Sequence, residues 1–213
     1  MMKLYSFFRS GTSHRLRIAL GLKGISSEYI PVDLRTEQHL GAEFKAINPQ
    51  GLVPALVDNQ TVLIQSPAII EWLEETYPTP ALLPKDHLHR AYVRALASIV
   101  ACDIHPINNR RILERLRKEL GQDEKVIQEW CSTWIIDGFN AFEALLKQHQ
   151  LCGKFCFGDQ PGLADVYLIP QVESARRFKV DVNQWPLIAQ IDKNCMELEV
   201  FQKAAPMAQI DAA

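Results

Sequence analysis

Three prolines in a seven-residue span, Pro78, Pro80 and Pro84, mark the place where the apolar pattern of this chain changes period. Proline fixes φ and lacks an N–H, so the cluster makes a stiff, non-helical connector. Before it, short strand-like alternations and short amphipathic stretches take turns. After it, apolar residues recur every three or four positions over long distances. The chain is therefore expected to divide into an α/β unit over residues 1–83 and an all-helical unit over residues 88–213.

In the first unit, residues 3–7 read as a strand and 9–13 as a polar turn. Residues 14–23 read as a helix burying Leu16, Ala19 and Leu20 and ended by Gly24. Residues 28–34 alternate as a second strand, and 54–57 and 61–64 flank Asp58-Asn59-Gln60 as a hairpin. Ser66-Pro67 offers an N-cap and a first-position proline to a helix burying Ile69, Ile70 and Leu73. The order is βαβ followed by ββα. Beyond the prolines, residues 88–120 and 124–148 carry helical periodicity, the second through Ile135, Phe139, Phe142 and Leu146. Shorter helices are expected near 163–178 and 186–203. Pro106 and Pro170 fall inside helical stretches, where proline usually kinks or breaks the helix.

Lys and Arg total 23 against 25 Asp and Glu, so a net charge of −2 offers no global attraction to nucleic acid or an anionic membrane. Any anion must be met locally. With 47% hydrophobic residues the chain can build cores without staples, and its five scattered cysteines read as free thiols in a reducing, cytoplasmic setting. No run of 18 apolar residues exists and the first residues lack a signal peptide's apolar region, so neither membrane insertion nor export is expected. The glycine-rich phosphate loop, G-x-S-x-G, H-E-x-x-H and C-x-x-C are all absent. His87 and His89 have no third ligand nearby, so no metal is expected.

The turn after the first strand stands out. Helix starts built for stability carry Asp or Glu in the first turn, opposite the positive end of the dipole. Here Arg9, His14, Arg15 and Arg17 surround Ser10, Gly11, Thr12 and Ser13, and no acid lies between Lys3 and Lys23. Such a terminus suits an external anion; the plainer reading is that Ser10 or Ser13 simply caps the helix. Gln65-Ser66 repeats the theme with amide and hydroxyl donors that suit a carboxylate, or again a cap. At Val53-Pro54 the proline takes either isomer, and in cis would turn the Val53 backbone groups outward.

In this combination the chain resembles the zeta class of glutathione transferases, the maleylacetoacetate and maleylpyruvate isomerases. The marks are Tyr5-Ser6-Phe7-Phe8-Arg9-Ser10 leading into Arg15-Leu16-Arg17-Ile18-Ala19-Leu20, then Asn48-Pro49, Val53-Pro54, Gln65-Ser66, Glu71-Trp72-Leu73-Glu74-Glu75, Leu82-Leu83-Pro84 and Pro170-Gln171-Val172. The resemblance implies a thioredoxin-like glutathione domain followed by a helical domain, a homodimer, and an active site in the cleft between the domains. It implies glutathione as cofactor, a small dicarboxylate as substrate and cis–trans isomerisation as the reaction. Position by position, Ser10 matches the catalytic hydroxyl, Val53 the backbone partner of the cysteinyl group, and Gln65 and Ser66 the anchors of the γ-glutamyl carboxylate. The family's usual Ser-Ser-Cys is here Ser10-Gly11-Thr12, so Thr12 is a second candidate for the hydroxyl role. Arg9, Arg110, Arg111 and Arg177 are expected to bind substrate carboxylates, Arg9 also assisting catalysis. His39, Asp103, His105 and Asn109 are further candidates for glutathione contact. Gly162 stands where the family usually has a hydroxyl N-cap, three residues before Asp165. Two other readings share the resemblance: glutathione transfer to electrophiles such as haloacids, and a non-catalytic binding protein of the same fold.

Overall fold

The computed structural model describes residues 1–212, and the chain forms two compact units, Met1–Leu82 joined by the segment from Met196 onward, and Leu83–Cys195. The return of the last segment to the first unit departs from the division at residues 83 and 88. Its physical cause is a set of contacts to strand and helix residues far upstream, described below.

The first unit is built on a four-stranded sheet in the order β2-β1-β3-β4, from β1 (Met2–Ser6), β2 (Ser27–Pro31), β3 (Ala55–Asp58) and β4 (Thr61–Ile64). β1 pairs parallel to β2 and antiparallel to β3, and β3 and β4 form the expected hairpin, with Asp58 opposite Thr61. The βαβ-ββα order is thus a thioredoxin-like arrangement of one mixed sheet. Helix α1 (Gly11–Leu22) buries Leu16, Ala19 and Leu20, and α3 (Ser66–Thr76) buries Ile69, Ile70 and Leu73. A short helix, α2 (Ala42–Ile47), and a single 3₁₀ turn at Gln38–Leu40 lie in a stretch that carries no helical period long enough to read.

Two boundaries differ from expectation. α1 begins at Gly11, three residues before His14, because Ser10 is its N-cap and accepts from the Ser13 N–H at 3.2 Å. α3 is capped by the Gln65 backbone rather than by Ser66, which is already its first helical residue. The far ends of α1 and α3 are tied by Lys23, buried with Glu74. Its Nζ donates to Glu74 Oε2 at 2.7 Å and to the carbonyls of Tyr77 and Pro80 at 2.6 and 2.9 Å, while Glu74 accepts from the Leu82 N–H. These hydrogen bonds offset the desolvation cost of burying the pair, and they fix the start of the proline connector.

The second unit is helical: α4 (His87–Ser98), α5 (Arg110–Lys118), α6 (Glu124–His149), α7 (Leu163–Arg177) and α8 (Pro186–Met196). The helical stretch over 88–120 is divided near Pro106, as that proline led one to expect, into α4 and α5. A π-helical segment at Ile99–Ile104 follows α4, and turns around Pro106 precede α5, as a donor-less residue requires. α7 continues through Pro170 without ending there. Asp165 accepts from the Gly162 and Cys156 N–H groups at 2.8 and 2.9 Å, so glycine is a sufficient cap residue. Ile135, Phe139, Phe142 and Leu146 are fully buried along α6. The expected helix over 186–203 breaks after Met196; α9 (Glu199–Ala204) packs on α1 in the first unit. A Cβ placed on Gly21 would lie 2.4 Å from Val200 Cγ2, so that seat requires the small residue.

Candidate active site

The residues singled out in the first unit are joined by a chain of contacts. At its centre is the α1 terminus. Ser10 Oγ lies 3.0 Å from Thr12 Oγ1, and Thr12 donates to the Val53 carbonyl at 2.9 Å. A hydroxyl has one proton, and that of Thr12 rests on Val53, so in the Ser10–Thr12 contact Ser10 is the donor. The Ser10 proton can be re-aimed at an incoming anion, whereas that of Thr12 is committed. The Ser10 cap bond uses only an acceptor lone pair, so capping and anion binding do not compete. Among the described residues, the first turn of α1 has no acid.

Val53 precedes a cis proline, Pro54. Its loop is held by buried Asn48, whose Nδ2 donates to the Leu52 carbonyl at 2.6 Å and whose Oδ1 accepts from the Gln50 N–H. Gly51, with φ of +62°, lies against the His39 carbonyl, and a Cβ there would sit 2.9 Å from that oxygen. The half-buried His39 is therefore held beside the same loop. Gln50 Oε1 accepts from Gln65 Nε2 at 2.6 Å, which brings the start of α3 into the group. Gln65 adopts φ of 68°, unusual for a residue with a side chain and typical of sites where strain is tolerated for function.

Ser66 is 2% exposed and its Oγ has no hydrogen-bond partner among the described residues. Buried hydroxyls are rarely left so. The capping reading of Ser66 is removed by this geometry, and a carboxylate oxygen supplied from outside would complete it. Arg9 is exposed, its guanidinium 5.2 Å from the centre of the Phe8 ring. Taken together, redirectable Ser10, the Val53 carbonyl, and the orphaned Ser66 hydroxyl fit a thiol peptide with a free carboxylate.

In the second unit, Asp103 is exposed at the end of the π-helical segment, and the half-buried His105 follows it. Asn109 caps α5, its Oδ1 accepting from the Arg111 N–H at 3.1 Å, so that oxygen serves the helix. Arg110 and Arg111 open α5, the latter exposed. Arg176 and Arg177, adjacent in sequence, have different surroundings. Arg176 is ion-paired to Asp192 of α8. Arg177 is exposed, donates to Ser174 Oγ at 3.2 Å and lies 5.2 Å from the Phe178 ring, which packs on Leu113, Ile127 and Cys131. Burial pushes the Cys131 thiol up to about 12, with Arg177 and Arg117 pulling slightly the other way. Among the described residues no group of three or more His, Cys, Asp or Glu side chains is placed to hold a metal ion, and no helix is long and apolar enough to cross a membrane.

Residues 9–76 match the glutathione S-transferase N-terminal domain, and residues 110–190 the C-terminal domain. A maleylpyruvate isomerase of a Ralstonia species is 65% identical over 212 residues, covering the whole of both chains. A solved holo structure of maleylpyruvate isomerase, described as a bacterial glutathione S-transferase in the zeta class, superposes with a TM-score of 0.97 at 64% identity, over 99% of this chain and all of that one. The chain belongs to the zeta class of the glutathione S-transferase family. A maleylacetoacetate isomerase of Anaeromyxobacter dehalogenans, solved with glutathione in its active site, superposes on this transferase with a TM-score of 0.89 at 40% identity, over all of this chain and 98% of that one.

Two contributors to this network of contacts were not singled out from sequence. Gln50, which holds Gln65, follows the noted Asn48-Pro49 pair but has no distinctive type of its own. The other is the segment beyond α9, whose Asp211 binds the Phe8 N–H across 203 positions. No local pattern could reveal a contact of that range.

Proposed function

We propose that this transferase is a glutathione-dependent cis–trans isomerase of maleylpyruvate or maleylacetoacetate, working as a cytoplasmic homodimer. The observation that carries the reading is the combination of a donor-rich α1 terminus without an acid and a buried, unpartnered Ser66 hydroxyl, in a chain 65% identical to a maleylpyruvate isomerase. A double bond does not rotate freely; glutathione, when bound, supplies a thiolate that adds to it, allows rotation about the resulting single bond, and departs unchanged.

The protein's own residues hold and orient. Ser66, with Gln65, takes the γ-glutamyl carboxylate, and the Val53 carbonyl accepts from the cysteinyl N–H through its second lone pair. Ser10 turns its proton from Thr12 to the sulfur. A free thiol near pKa 8.5 is mostly protonated at neutral pH; a charge-assisted hydrogen bond and the helix terminus favour the anion. Arg9, with Arg110, Arg111 and Arg177 of the helical unit, serves the substrate carboxylates and the negative charge that builds on the carbonyl oxygen during addition, as planar bidentate donors do. His39, Asp103, His105 and Asn109 remain proposed glutathione contacts.

The decisive experiment measures turnover of maleylpyruvate, maleylacetoacetate and a chlorinated acid, each with and without glutathione. Rapid glutathione-dependent isomerisation of a maleyl compound is expected. Faster conversion of the chlorinated acid would favour general transfer, and glutathione retention without any turnover would favour a binding protein.

A further inference from the structure

The turn that carries Ser10 is held from both sides by residues far from it in sequence. Its first peptide groups belong to Phe8. The Phe8 N–H donates to Asp211 Oδ2 at 3.0 Å, and the Phe8 carbonyl accepts from Arg17 Nη2 at 3.0 Å. Asp211 is itself oriented: its other oxygen accepts from the Tyr29 hydroxyl at 2.7 Å. Arg17, 8% exposed, also donates to the Ala204 carbonyl through Nε at 2.8 Å and to Ser6 Oγ through Nη1 at 3.3 Å. Burial pulls the Arg17 guanidinium down to about 10, with Tyr29 and Asp211 acting in the opposite direction, so it stays charged at neutral pH. Two residues after Phe8, the Ser10 N–H donates to the Phe7 carbonyl at 3.0 Å. The frame is thus closed by the end of α9 and the segment that follows it, and the Gly21–Val200 contact seats α9 on α1.

We infer that Asp211 and Arg17 are positioning residues for the thiolate site, fixing both peptide groups of Phe8 so that the Ser10 hydroxyl is held where the sulfur must sit. The inference rests on the reading that Ser10 serves a glutathione thiolate. A catalytic hydrogen bond depends steeply on distance and angle, and the turn between Phe8 and Ser10 has no regular secondary structure of its own to supply that precision.

The test is a titration of bound glutathione in the full chain, followed by the ultraviolet absorbance of the thiolate. Asp211→Ala should move the midpoint up by about one pH unit, leaving about tenfold less thiolate at a pH below both midpoints. Removing a negative charge alone would move it down, and loss of global stability alone would not move it. Asp211→Asn keeps an acceptor for Phe8 and a donor for Tyr29, and should stay within a few tenths of a unit of the unsubstituted protein. Tyr29→Phe removes the hydroxyl that orients Asp211 while leaving the carboxylate itself in place, and should shift the midpoint upward by less than Asp211→Ala. If Asp211→Ala does not fold, Tyr29→Phe decides. A depressed midpoint in the unsubstituted protein, unmoved or lowered in the folded variant, overturns the inference alone. A midpoint equal to that of free glutathione in the unsubstituted protein overturns the thiolate reading and this inference with it.

Discussion

Ser10 and Thr12 are chemically alike, and sequence gives no means of ranking them; the hydrogen bond from Thr12 to Val53 does. A hydroxyl whose proton already rests on a carbonyl must break that bond before serving a thiolate, while Ser10 only exchanges one hydroxyl acceptor for a charged one. Hydrogen bonds to charged groups contribute about 1.5–3 kcal/mol, and one pKa unit is about 1.4 kcal/mol. Ser10→Ala should therefore raise the pKa of bound glutathione by about one to two units, and Thr12→Ala by less than half as much. Thiolate absorbance against pH measures both, and a larger effect from Thr12→Ala would transfer the role to that residue. The same scale separates Arg176 from Arg177. The doublet looks uniform as sequence, yet Arg176 is ion-paired to Asp192 of α8, while Arg177 donates to Ser174 Oγ and lies against the Phe178 ring.

Helix α1 shows what one element can conceal. Its apolar face was legible from Leu16, Ala19 and Leu20, but every residue from Ser13 to Leu20 is buried, His14, Arg15 and Arg17 included. The usual inference from amphipathic spacing, that the polar face meets water, fails because other parts of the chain cover that face; at Arg17 the covering group is the last residue of α9, Ala204. Burial, with the nearby Arg17 charge, holds the His14 imidazole down at about 3 against an ordinary value of 6.5. The folded chain thus keeps His14 neutral at pH values where the unfolded chain protonates it. Its contribution to stability is complete above pH 6.5 and is lost as pH falls from there toward 3, at about 1.4 kcal/mol per pH unit. Urea unfolding at a series of pH values should show the unsubstituted protein losing stability more steeply than His14→Gln below pH 6.5. Parallel slopes would show that His14 titrates normally in the folded state.

At the scale of the molecule, a ligand that binds only the folded chain stabilises it by mass action. Glutathione at one hundred times its dissociation constant should add about 2.7 kcal/mol, which in a chain of this length raises Tm by roughly 5–10 °C. Cysteinylglycine at the same concentration lacks the γ-glutamyl carboxylate offered to Ser66 and Gln65, and its shift in a calorimetric scan should be much smaller. Equal shifts would remove Ser66 from the carboxylate site. The proline connector, the βαβ-ββα order, the hairpin and the buried stripe of α6 were all readable, because each depends on residues adjacent or one helical turn apart. Ser10, Gln65 and Ser66 stand out in the sequence as donor-bearing residues at helix starts, whereas Val53, which offers only its backbone, enters through the family resemblance.

Sequence alone determined the sheet's constituents, the helical second half, and the presence of an acid-free helix start suited to an anion, since local sterics, periodicity and charge act over a few residues. Only the tertiary structure decided which hydroxyl has a proton to give, that Ser66 is left without a partner, and that residues 204–211 close over Arg17 and Phe8. Those outcomes depend on contacts between segments up to 203 positions apart, and no local preference encodes which distant group will arrive to fill a hydrogen bond.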